Sequence, residues 1–399
     1  MNKANKMLTN SILFISDSSI QNPIIHSQGI PLLLHAVTQG MECYLITFEI
    51  RNDNRNHNFT VNEIKKLNHI PIIIDPNKLV PGWVQILIKG LIKSFNLVLH
   101  KKINIIHSRS FNPAVIASLL KVIFRNRIKI IYDNRGLFLE EEILKGNWDR
   151  NDFKAKSYHL LESFVLKKCD FIVVVSNSFK NILLKKKSCV SEKITVIPNR
   201  TNIVKNINVT ARSENRPLVR IVYSGSFAFW QNVDGLKKVF LEANNVFENI
   251  KFRVITYQKN KFEQYFSNVE DLKINIEIIS VRPNQIKNNF LDCNFGILYR
   301  GKNIVNKVAA PLKFAEYLSV GLPVLVSDEL GDISDMVESH NLGVVIKDGA
   351  IKNALIQMKK LINNSSTYER CYKFAVEYLN VEKSFQQYIS IYNSLLSTK

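Results

Sequence analysis

The stretch Ala310–Ile346, APLKFAEYLSVGLPVLVSDELGDISDMVESHNLGVVI, decides the fold. Leu312, Ala315, Tyr317, Leu318 and Val320 recur at spacings that let a short helix bury one face. Glu316 cannot be buried beside them without a polar partner. Gly321 ends the helix and Pro323 forbids its continuation. Val324–Val326 is then an apolar run of the kind a buried parallel strand needs, and a helix near Asp332 leads to a further strand, Gly343–Ile346. Lys313 lies three positions before Glu316, so the two read either as a surface ion pair or as a pair for a ribose diol and a phosphate.

Outward from this stretch the strand–helix alternation continues. Strand candidates in the first half are Ile12–Ser16, Tyr44–Phe48, Ile70–Ile74, Ile103–His107, Ile128–Tyr132, Phe171–Ser176 and Ile194–Pro198. Helical patterns lie near 83–100, 112–124 and 153–168. Residues 199–217 are polar without a sustained period, as a linker is. Strands then resume at Val219–Ser224, Phe252–Thr256, Ile274–Ile279 and Phe295–Tyr299, with helices expected near 233–246, 259–268, 283–291, 311–319, 332–339 and 350–362. Thr367 to Leu396 is helical with no further strand. The pattern predicts two doubly wound α/β domains, 1–200 and 218–380, joined by a linker over 201–217 and followed by a terminal helix over 381–399. A chain of 399 residues suits that division.

The opening MNKANKMLTN is polar and Ile12–Ile15 is too short for a signal h-region, which points to the cytoplasm. Five cysteines, Cys43, Cys169, Cys189, Cys293 and Cys371, form no C-x-x-C pair and read as reduced thiols. The formal charge is +20, and residues 1–200 carry 29 Lys and Arg against 15 Asp and Glu. Such a field attracts anions: phosphorylated substrates, anionic headgroups or nucleic acid. Basic residues interleaved with aromatics on one face are missing, which argues against nucleic acid. Leu79–Leu99 is apolar but broken by Gly82, Lys89, Gly90 and Lys93, which argues against a membrane span. Trp83, Ile86, Leu87, Leu91, Phe95 and Leu99 share one broad helical face, suited either to the core or to docking on an anionic membrane. G-x-x-x-x-G-K-[ST], G-x-S-x-G and H-E-x-x-H do not occur, and G-x-G-x-x-G does not follow the first strand.

P-x-K-x-x-E-Y-L-x-x-G-x-P-V, followed by the helix near Asp332 and an N-x-G-x-V strand, resembles the donor-nucleotide segment of glycosyltransferase group 1. The resemblance implies retaining, sugar-nucleotide-dependent enzymes of the GT-B fold: two Rossmann-like domains facing across a cleft, with the last helix crossing back to the first domain. It implies donor contacts from Gly225 and Ser226 after the strand Val219–Ser224, and from Arg300, Lys302, Lys313 and Glu316. Arg300, His107 and Asp133 are the candidates for catalysis, the last two in the loops His107-Ser108-Arg109 and Tyr132-Asp133-Asn134-Arg135-Gly136, expected to open on the cleft from the acceptor side. No metal or other cofactor is implied, because Arg300, Lys313 and backbone amides can neutralise a departing diphosphate.

The chain departs from the family pattern at three positions. Ser226 and Gln231 stand where many members carry Arg and Lys, and Val308 stands where a first Glu faces the transferred sugar. The expected activity is transfer of a sugar from a nucleotide-diphosphate donor to a lipid-linked or saccharide acceptor in surface polysaccharide assembly, with an anionic membrane surface as a further partner. A sugar-nucleotide epimerase of the same fold, and a non-catalytic subunit that binds a partner transferase, stay open as alternatives.

Overall fold

The computed structural model describes residues 10–397 apart from 23, 52–63, 79, 187, 210–217, 268 and 270–274. The polar opening and positions 210–217 of the expected linker thus lie outside the described residues. Two wholly parallel sheets organise the chain. The first contains β1 (Ser11–Ser16), β2 (Glu42–Ile50), β3 (His69–Ile74), β4 (Ile103–Arg109), β5 (Lys129–Asp133), β6 (Phe171–Val174) and β7 (Ile194–Val196), in the order β3-β2-β1-β4-β5-β6-β7. The second contains β8 (Val219–Ser224), β9 (Ile250–Ile255), β10 (Ile276–Ile279), β11 (Phe295–Leu298), β12 (Val324–Ser327) and β13 (Gly343–Ile346), in the order β10-β9-β8-β11-β12-β13. All six residues of β1 and all four of β12 are buried, as strands covered on both faces must be. In each sheet the chain reverses its direction of winding beside the first strand, at β1/β4 and at β8/β11, where α/β sheets open a crevice at their carboxyl ends.

The helix Gly82–His100 approaches the first sheet through its glycine. A Cβ at Gly90 would sit 2.6 Å from Ile116 and 2.9 Å from Phe48, so only hydrogen fits there. Ile86, Leu87, Leu91 and Phe95 pack against the core, but Trp83 and Leu99 of the expected apolar face stand 59% and 45% exposed, together with Ile88 and Ile92. The helix is long and apolar enough to cross a membrane by length and composition, yet it is a covering layer of the sheet.

Three local features differ from expectation. Residues 283–291 form two short 3-10 turns, Pro283–Gln285 and Lys287–Phe290, where proline and successive asparagines disfavour a continuous helix. Asn177–Leu184 is a helix, because Ser176 accepts the Phe179 N–H as its cap, and Ile304–Val308 is one because Asn303 caps Asn306.

The helical tail is two helices with different allegiance. Ser365–Tyr378 buries Tyr368, Cys371, Phe374 and Ala375 in the second domain. Val381–Ser397 crosses to the first and packs Val381, Phe385, Tyr388, Ile391 and Tyr392 with Ile12 and Phe14 of β1. The crossing point is tied to the start of the linker: Thr201 donates its N–H to Leu379 O at 3.0 Å and accepts from Val381 N at 3.1 Å.

Candidate functional site

The second domain places a cation beyond the adjacent carboxyl ends of β8 and β11. Gly225 follows β8, and a Cβ there would lie 2.4 Å from Tyr223 Oη, so the turn has no room for a side chain. Tyr223 Oη donates to Ser226 O at 3.3 Å. Arg300 lies just past β11, its backbone N–H donating to Ser327 Oγ at 3.0 Å. Among the described residues its Nη1 reaches the Asn306 Oδ1 at 3.4 Å, and the buried Nε has no hydrogen-bond partner. No carboxylate among the described residues forms an ion pair with it. Burial therefore draws the Arg300 pKa down to about 10. A buried guanidinium with open donors calls for an oxyanion, and its fork matches phosphate oxygens. Asn306, which the sequence did not single out, organises the surroundings of Arg300: its Nδ2 donates to Trp230 O at 3.0 Å and to Gly301 O at 2.9 Å.

Glu316 and Lys313 sit on the helix Leu312–Leu318, Lys313 Nζ 2.6 Å from Glu316 Oε2. That oxygen is buried, and Lys313 is its ion-pair partner. Burial lowers the pKa of the neighbouring Lys287, which Glu316 partly restores and Lys313 lowers further. The next residue, Tyr317, fixes the helix against β8 by accepting the Ser224 N–H at 2.8 Å. Lys302 behaves differently from Arg300: it carries its own counter-charges, Asp328 at 2.7 Å and Glu329 at 3.6 Å. Gln231 bridges to Arg300 through the backbone.

In the first domain the structure corrects the expected geometry of His107 and Asp133. Neither faces a cleft; both are fully buried beneath the terminal helix. Asp133 Oδ2 accepts from Arg109 Nη1 at 3.1 Å and Arg135 Nη2 at 2.9 Å, while its Oδ1 accepts from Tyr388 Oη at 3.2 Å. His107 Nε2 lies 3.5 Å from Asp133 and its Nδ1 2.6 Å from Tyr392 Oη. Burial opposes ionisation of Asp133, but Arg135, His107 and Arg109 outweigh it and hold the carboxyl below the usual carboxylate range. Burial holds His107 below its ordinary pKa. With its oxygens already engaged, Asp133 is a scaffold for the terminal helix, and an acceptor sugar has no free lone pair to reach.

A different acid occupies the crevice between β1 and β4. Asp17 follows β1, and burial raises its pKa to about 6, opposed by a hydrogen bond from Ser110 and by Arg109. Ser110 follows β4 with φ of +79°, a left-handed conformation that a non-glycine residue adopts under constraint. Glu141 stands nearby, its own pKa raised by burial, and its Oε1 lies where a Cβ of Gly136 would go. Asp17 escaped the sequence reading because nothing in its polar loop marks it.

The two domains meet around this region. Val308 is 1% exposed and belongs to the first domain's core cluster. Its carbonyl accepts from Ser176 Oγ at 2.8 Å, and the Ala310 carbonyl accepts from Asn199 Nδ2 at 2.7 Å. Lys145 lies 5.7 Å from the Phe229 ring across the same boundary, a cation–π contact. Where the family pattern has a sugar-facing glutamate, this chain thus has an apolar interdomain contact.

The chain matches two family models, Glycosyltransferase Family 4 over residues 32–203 and Glycosyl transferases group 1 over residues 205–377. No curated protein matches it. Among solved structures it resembles sucrose-phosphate synthase from Thermosynechococcus elongatus, with a TM-score of 0.71, 14% identity, and coverage of 98% of this chain and 100% of that one. WaaG, a glycosyltransferase involved in lipopolysaccharide biosynthesis, superposes with a TM-score of 0.66 at 12% identity over 94% of this chain and 98% of that one. The UDP co-structure of S. aureus MnaA gives 0.57 at 13% identity over 98% and 99%. At such identities these likenesses speak for the fold.

Proposed function

This chain belongs to the group 1 glycosyltransferases and has their GT-B fold, and from that premise we propose that it transfers a sugar, with retention, from a nucleotide-diphosphate donor to a lipid-linked or saccharide acceptor. The observation that supports the donor reading is Arg300, a cation just past β11 whose buried Nε has no hydrogen-bond partner and which pairs with no carboxylate among the described residues; the Lys313–Glu316 ion pair lies on the helix before β12. Arg300 and Lys313 take the diphosphate, and Glu316 takes the ribose hydroxyls. Transfer then depends on positioning and on stabilising the departing diphosphate by these cations, without a metal.

Assembly of surface polysaccharide at the cytoplasmic face of a membrane is the setting we propose. Its support is a layer of exposed apolar residues on two packed helices of the more basic half: Trp83, Ile88 and Ile92 on Gly82–His100, and Val122 and Ile123 on Phe111–Phe124. Lys93, Lys101 and Lys102 are exposed beside them. WaaG, whose fold is shared, is a transferase of lipopolysaccharide biosynthesis.

A thermal-shift screen against UDP, GDP, dTDP, CMP and their sugar conjugates, repeated with Glu316→Ala, tests the donor reading. A shift with one nucleotide family that the variant loses supports it. Folded protein that responds to none of them returns the chain to the non-catalytic reading.

A further inference from the structure

Between the start of the linker and the terminal helix lies a cavity of about 20 Å³, separate from the Arg300 site. Its polar lining includes Gln28, Arg109, Arg135, Asn199, Arg200, Ser384 and Tyr388. Three guanidiniums converge here from different parts of the chain: β4, the loop after β5, and the linker.

Their counter-charges are too few. Arg109 and Arg135 share the single carboxylate of Asp133, and Asp17 is the other acid that acts on Arg109. Among the described residues Arg200 is held by neutral groups: Nε donates to Tyr378 O at 2.9 Å, and Nη1 donates to Ser384 Oγ at 3.0 Å and Gln387 Oε1 at 2.6 Å. Among the described residues three cations thus face two carboxylates, and Arg200, partly buried, has no carboxylate of its own. A partly desolvated cation in that position gains from an anion beside it. Burial lowers the pKa of Arg109 and of Arg200, as expected of cations with incomplete compensation.

Size narrows the occupant. A cavity needs roughly 10–15 Å³ to admit one water-sized species. At about 20 Å³ this one has room for a single small ion.

We propose that the cavity is a binding site for one small monovalent anion of chloride size, clamped between Arg200 of the linker and the Arg109–Arg135 pair of the first domain. The anion joins the two chain segments that pass between the domains, the linker and the terminal helix, and so stiffens the hinge. The inference stands apart from the transferase reading and survives its failure.

Crystals of the full-length protein grown with bromide in place of chloride test it directly. An anomalous peak in the cavity between Arg109 and Arg200 is the expected result; solvent density without anomalous signal there overturns the proposal. In solution, replacing chloride by gluconate at fixed ionic strength is expected to lower the unfolding midpoint by a few degrees, and Arg200→Gln to remove that difference. Equal midpoints in the two salts, or a chloride effect undiminished in Arg200→Gln, overturn it as well. The bromide measurement needs no variant, so a poorly folding Arg200→Gln leaves the test intact.

Discussion

The carboxylate of Asp332 accepts the backbone N–H of Asn177 at 2.6 Å, so an acid of the second domain caps a helix of the first. It also accepts from Asn177 Nδ2, Ser178 N and Ser178 Oγ, each at 3.0 Å. Four donors at a positive helix end make this a charge-assisted latch between the domains. Asp332→Ala is expected to cost about 1–2 kcal/mol, in the range of a lost helix cap. Small-angle scattering should show a larger radius of gyration in the variant; an unchanged radius would mean that the contacts at Val308 and Ala310 and the crossing terminal helix hold the domains together without it.

Arg300→Met separates binding from stability. Removing a buried cation that lacks a carboxylate is expected to leave the unliganded unfolding temperature unchanged or higher, because the desolvation cost disappears. The shift induced by a nucleotide diphosphate should vanish in the same variant. A clear loss of unliganded stability would show that Arg300 serves the fold.

Asp17 gives a pH dependence of definite sign. With its folded pKa raised to about 6 from 3.8, the folded state holds a proton that the unfolded state has lost between those values. Its contribution is therefore fully present below about pH 4 and is lost as pH rises through 6. Asp17→Asn should match the parent near pH 4 and exceed it above pH 6, by on the order of 1–3 kcal/mol. Urea midpoints at pH 4, 5 and 7 decide this, and a constant difference between the two proteins would refute it.

Trp83→Gln combined with Ile92→Gln should weaken co-sedimentation with anionic vesicles several-fold without moving the unfolding temperature. Both side chains are more than half exposed, so their loss removes little from the core. Raising salt should weaken binding of the parent, as expected for surface lysines at charged headgroups. Retention of full binding by the double variant would end the membrane proposal.

Much of the fold was legible because buried parallel strands advertise themselves. Val219–Ser224 and Gly343–Ile346 were placed to the residue, and the helix carrying Lys313 and Glu316 was set by its flanking Pro311 and Gly321. Arg300 was legible as a cation at a strand end. Burial of Asp133 was not, since it depends on Tyr388, 255 residues away, and on two arginines whose convergence only the folded sheet creates. The latch at Asp332 is invisible for the same reason: locally Asp332 marks the start of its own helix, and its partners lie 154 and 155 residues earlier. Val308 was recognised as a departure from the family pattern, but its place in the first domain's core needs the two domains brought together. Local pattern fixes elements; charge partners across domains are a property of the assembled chain.

The crossing of the terminal helix sets an order of events during synthesis. The seven strands of the first sheet have all been made by Val196, yet Tyr392, which satisfies His107, is added 285 residues after it. Until then the emerging half carries the Asp133–arginine cluster without its tyrosine lid and an uncovered apolar strip on β1 and β4. The first domain to leave the ribosome is thus the last to be finished, and during the interval its exposed strip is a target for chaperones. A ribosome-bound chain stalled before Val381 should be cleaved readily by protease within the first half, and one extended past the terminal helix should resist.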